Sequence, residues 1–147
     1  MKNTKLKAVI IDDEEINLLL FEGYVEELGM EVVSFDNSKD GLDYLKKYGT
    51  DLLYVDYMMP EMNGIELIQE FRKKSKTTPV LMITSTSDDE ALMLQALDAG
   101  ATEFLTKPIR PFEFKVRSKT LMALRKSQKE LREKTALLEE QIKTISQ

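Results

Sequence analysis

Histidine and cysteine are both absent from the 147 residues. Without imidazole the chain has no histidine base, no histidine metal ligand and no phosphohistidine of its own, so any such group must come from a partner. Without thiols there is no disulfide framework, no thiolate nucleophile and no zinc-finger spacing, which fits the cytosol. Long apolar runs are missing too. The run at residues 6–11 is too short for a signal peptide or a membrane span. Basic residues are in deficit, 21 Lys and Arg against 26 Asp and Glu, for a net charge of -5. A nucleic-acid surface over the whole chain is thereby excluded, because phosphate neutralisation needs clustered cations. A metal or a basic partner fits the charge better. The composition, 42% hydrophobic and 32% charged, describes a soluble cytoplasmic protein of one globular domain with a short extension.

What is present centres on Leu52-Leu53-Tyr54-Val55, an apolar run that ends in Asp56 just before the turn residues Pro60 and Asn63-Gly64. That pattern predicts a buried parallel strand delivering Asp56 to a sheet edge. Further strands are expected over residues 6–11, 31–35, 79–85 and 101–106. Helices are expected between them. The first places Ile16, Leu19, Leu20 and Leu28 inward, the second Leu42 and Leu45, and the third Ile65, Leu67, Ile68 and Phe71. The fourth, capped by Ser87-Asp88-Asp89, carries Met93, Ala96 and Leu97 on one face, with Leu92 and Leu94 flanking it as a signalling surface. Strands alternating with helices imply an α/β parallel sheet covered on both faces.

Four strand ends then converge: Asp12 with Asp13, Asp56, Thr84, and Lys107. In open α/β sheets ligands bind outside the carboxyl ends of the strands. Three carboxylates together repel one another unless a cation joins them, and an all-oxygen set suits Mg²⁺. A carboxylate, a metal, an ammonium and a hydroxyl are the parts needed to take a phosphoryl group onto an aspartate, with Asp56 as nucleophile. Taken singly, each residue has a bland role: Asp12, Asp13 and Asp56 as turn or helix caps, Lys107 as a solvated lysine, Thr84 as a strand-end hydroxyl. Coincidence at four strand ends argues for the set. A haloacid-dehalogenase-type phosphatase needs a second Asp where Met58 stands, and a dinucleotide domain would have its phosphate repelled by residues 12–15.

These residues, with Met59-Pro60, Thr84-Ser85, Ala99-Gly100-Ala101 and Lys107-Pro108, make residues 5–122 resemble the receiver domain of two-component response regulators. The resemblance implies a flavodoxin-like, doubly wound five-stranded sheet of order 2-1-3-4-5. It also implies Mg²⁺-dependent phosphoryl transfer to Asp56 from a phosphohistidine on a sensor histidine kinase or phosphotransfer protein. Asp12, Asp13, Asp56 and the Met58 backbone carbonyl would hold the metal. Thr84 and Phe104 would act as the switch pair, and the chain would catalyse only its own phosphorylation and dephosphorylation. The alternative is a receiver-like interaction module that never uses its acceptor.

Past Lys107, Pro111 opens a helix that runs without Gly or Pro from Phe112 to Gln147. No helix-turn-helix follows. Leu124, Leu131, Leu138 and Ile145 at d, with Leu121, Gln128, Thr135 and Ile142 at a, predict a parallel homodimeric coiled coil, with Lys134 facing Glu139 of a second copy. The expected division is a receiver over 1–122 and a helical coiled-coil extension or linker over 123–147.

Overall fold

The computed structural model describes residues 5–85 and 89–146. Five strands alternate with five helices: β1 (Lys7–Ile11), α1 (Glu15–Glu27), β2 (Glu31–Phe35), α2 (Ser38–Tyr48), β3 (Leu52–Asp56), α3 (Gly64–Arg72), β4 (Val80–Thr84), α4 (Glu90–Ala99), β5 (Glu103–Thr106) and α5 (Pro111–Ile145). All strand pairs are parallel and the order is β2-β1-β3-β4-β5. This is the flavodoxin-like doubly wound sheet. Ser87 and Asp88 of the expected α4 cap, the first four residues and Gln147 lie outside the described residues.

Strand side chains alternate between faces with a period of two. Val9, Ile11, Leu53, Val55, Val80 and Met82 pack on one face with α2, α3 and α4. Ala8, Ile10, Leu52, Tyr54, Leu81 and Ile83 pack on the other with α1 and α5. Each face buries full-sized apolar side chains, worth about 1.5–3 kcal/mol apiece. β3 and β4, interior strands covered on both sides, are buried at every position. That explains why they read as continuous apolar runs.

Two helices turn differently from expectation. α1 buries Leu18, Phe21 and Val25, whereas Ile16, Leu19 and Leu20 are exposed. Its sequence is apolar on more than one side, and stacking of Phe21 on Phe114, 5.4 Å between ring centroids, settles which side goes in. α4 buries Leu92 and Ala96, leaving Leu94 and Leu97 exposed. α2 and α3 bury the residues expected of them.

α5 is one unbroken helix across residue 122. Phe114, Ser118, Leu121 and Arg125 are buried against the sheet. Hydrogen bonds to the body of the domain continue through Gln128 and Lys129, past the expected boundary at 122. Leu121, expected in an intermolecular seam, belongs to the receiver's own core.

Candidate functional site

β1, β3 and β4 end at one edge of the sheet, and the register fixes what each delivers there. Asp12 and Asp13 follow β1 directly, and the Asp12 backbone N–H donates to the Phe35 carbonyl at 3.1 Å, which locks the end of β1 to β2. Asp56 is the last residue of β3, paired with Ile83 of β4. Thr84 ends β4 and is buried. Its carbonyl accepts from the Lys107 backbone N–H at 2.8 Å, which brings the residue after β5 alongside.

The expected side chains meet. Carboxylate oxygens of Asp12, Asp13 and Asp56 all lie within 4.8 Å of one another. Lys107 Nζ stands 3.1 Å from Asp56 Oδ1 and 3.6 Å from Glu14 Oε1. Asp13, Asp56, Met58, Asn63, Ser85 and Lys107 line a cleft of about 760 Å³. Phe104 lies farther along β5, opposite Met82 and half-buried against the core on the α4 side.

The electrostatics follow from crowding. Burial raises Asp56 to a pKa of about 6; Asp12 and, less, Asp13 push the same way, and Lys107 partly offsets them. Burial also raises Asp12, against the backbone N–H of Glu14 that donates to its Oδ1 at 2.9 Å. For Lys107 burial favours the neutral form, but Asp56, Asp12 and Glu14 outweigh it and hold the ammonium above its usual pKa. Asp12 Oδ2 is buried and has no hydrogen-bond partner among the described residues. An orphaned anionic oxygen beside two further carboxylates fits a hard divalent cation bound through oxygen.

Two features escape sequence reasoning. Asn63-Gly64 reads as a turn, yet a Cβ on Gly64 would fall 2.6 Å from the Asp56 carbonyl oxygen. Glycine therefore lets α3 start hard against the end of β3, where Asn63 and Glu66 form a capping box. Glu14 reads as an acidic helix start. Instead it sits at the N-cap of α1 with no side-chain capping bond, its carboxylate turned to Lys107.

The sequence model for the response regulator receiver domain matches residues 8–118. Over 141 residues the chain is 32% identical to the cyclic di-GMP phosphodiesterase response regulator RpfG of Xanthomonas campestris pv. campestris, covering 93% of this chain and 37% of that protein. It is 34% identical over 119 residues to the alkaline phosphatase synthesis transcriptional regulatory protein PhoP of Bacillus subtilis, covering 79% of this chain and 48% of that one. The chain thus spans less than half the length of these relatives. Among solved structures, the receiver domain of Francisella response regulator 1452 superposes with a TM-score of 0.75 at 26% identity, over 84% of this chain and 99% of that one.

Proposed function

Because the chain belongs to the response regulator receiver domain family, whose members signal with histidine kinases or phosphotransfer proteins, we propose that Asp56 accepts a phosphoryl group from a partner's phosphohistidine. The observation that carries this is Lys107 Nζ at 3.1 Å from Asp56 inside a three-carboxylate cluster at the end of the sheet. An Asp56 oxygen attacks phosphorus in line, the P–N bond to the donor imidazole breaks, and the imidazole leaves and takes up a proton from solvent. The product is an acyl phosphate on Asp56, which water later hydrolyses. Lys107, already beside the nucleophile, stabilises charge on the transferring oxygens. The Thr84 hydroxyl at the neighbouring strand end donates to the product phosphate, and Phe104 follows Thr84 inward.

Asp12, Asp13, Asp56 and the Met58 backbone carbonyl would hold Mg²⁺, which when bound supplies further charge neutralisation at the same oxygens. Among the described residues no helix is long and apolar enough to cross a membrane. The receiver proper ends within α5. The remainder of that helix pairs with a second copy and carries the signal onward.

Incubation with acetyl phosphate and Mg²⁺ should add one phosphoryl mass to the intact chain. Asp56→Asn should remove that adduct, and a chelator should suppress it nearly as well. A full adduct on the Asn variant would rule Asp56 out, and undiminished labelling in chelator would rule out the metal.

A further inference from the structure

Among the described residues, Glu14 is the one carboxylate lining the cleft that belongs neither to the three-acid cluster nor to the helix it starts. At an N-cap, a short Ser, Thr, Asp or Asn side chain accepts from the backbone N–H two or three residues on, and the longer Glu is not among the residues preferred there. Here the Glu14 side chain makes no such bond. Asn17 Nδ2 donates to its Oε1 at 3.1 Å, and the same oxygen lies 3.6 Å from Lys107 Nζ. The backbone is pinned as well, since Glu14 N–H donates to Asp12 Oδ1 at 2.9 Å. Glu14 therefore has a defined place on the lip of the cleft that Asp13, Asp56 and Lys107 also line. Its side chain is 66% exposed.

We propose that Glu14 is a specificity-determining residue for phosphodonor charge: it shares Lys107 with Asp56 and adds a fourth negative charge where the donor enters. The inference rests on Asp56 being the acceptor. Lys107 faces two anions, and its ammonium can turn fully to an incoming phosphoryl oxygen only by giving up Glu14. A donor bearing two negative charges meets repulsion from Glu14 twice as strong as a donor bearing one. Both effects act on approach, so they weaken as salt screens the cleft mouth. A sensor partner overcomes the barrier by presenting a cation beside its phosphohistidine. A small free dianion brings no such cation and reacts more slowly, so Glu14 slows adventitious labelling of the acceptor by metabolic acyl phosphates.

The test compares two small donors on the full chain with saturating Mg²⁺, acetyl phosphate as the more highly charged and phosphoramidate as the less. Glu14→Gln keeps the size and the Asn17 contact and removes the charge. It should speed Asp56 labelling by acetyl phosphate about three- to ten-fold and by phosphoramidate distinctly less, so the ratio of the two rates rises. Glu14→Lys should raise that ratio further, and 0.5 M KCl should bring wild type and variants together. An unchanged donor ratio in both variants overturns the proposal while leaving the acceptor reading in place. A uniform change for both donors, insensitive to salt, also overturns it, because that is the mark of a merely structural role. No labelling of the wild-type chain by either donor removes the acceptor reading and the Glu14 role with it.

Discussion

The proposed role holds Asp56 under opposed demands: a nucleophile must be ionised, yet this carboxyl is buried beside two others. Its pKa of about 6 lies above the ordinary carboxylate value that the unfolded chain retains. The folded state therefore binds more protons than the unfolded state between about pH 4 and pH 6, and stability falls as pH rises through that window. At 1.36 kcal/mol per unit, the loss from Asp56 is about 1–3 kcal/mol. Asp12, also raised, adds in the same direction. A divalent cation held by the proposed site would bind only the ionised cluster and so offset the loss above the window. The gap in melting temperature between Mg²⁺ and chelator should accordingly be small at pH 5 and wide at pH 7.5. Equal gaps at the two pH values would mean that these carboxylates do not form the metal site.

Among the elements, α5 is fastened to β3 at two levels. Tyr54 of β3 and Ser118 of α5 share a buried hydroxyl–hydroxyl bond of 2.7 Å. At the foot of the strand Asp51 accepts from the Lys7 backbone N–H at 2.8 Å, Arg125 Nε at 3.2 Å and Lys129 Nζ at 2.9 Å. Gln128 adds a bond from its Nε2 to the Thr77 carbonyl at 2.9 Å. Burial works to raise the pKa of Asp51, but the Lys7 N–H and the two cations outweigh it and hold the carboxylate ionised. That contribution is complete above the ordinary carboxylate range and is lost as pH falls below it through the lowered pKa of the folded state, the reverse of Asp56. Asp51→Asn should cost about 1–3 kcal/mol, because it leaves the nearly buried Arg125 without its counter-charge. Amide exchange should quicken in α5 beyond Leu121 and not in β3. Unchanged protection there would show that apolar packing alone docks the helix.

For the molecule as a whole, the question is what the outer part of α5 meets. Phe114, Ser118, Leu121 and Arg125 face the sheet, while Leu131, Leu138, Ile142 and Ile145 are exposed. The two sets lie roughly a third of a turn apart at 100° per residue. A second helix can therefore lie along the exposed seam without prising α5 from its own receiver. The seam is shorter than the sequence pattern predicts, since Leu121 is in the core and Gln128 is bonded to Thr77. Pairing should then be modest and concentration-dependent. The double variant Leu131→Asp with Leu138→Asp should be monomeric by sedimentation equilibrium and keep full Asp56 labelling. A wild-type chain that stays monomeric at high concentration would exclude the seam as a homodimer contact.

The sequence alone determined the alternation of strands and helices, the buried character of β3 and β4, and the delivery of Asp12, Asp13, Asp56, Thr84 and Lys107 to one edge. These follow from local period and from the rule that parallel strands end together, both of which are written in short windows of residues. Tertiary structure decided which side of α1 and α4 is buried, because both helices offer apolar residues on more than one side and only docking chooses between them. It also decided that Gly64 must lack a Cβ, that Glu14 turns to Lys107 instead of capping α1, and that Asp51 holds Arg125, 74 residues away. None of these has a periodic signature. Each is a single contact between distant segments, set by how closely packed elements approach one another.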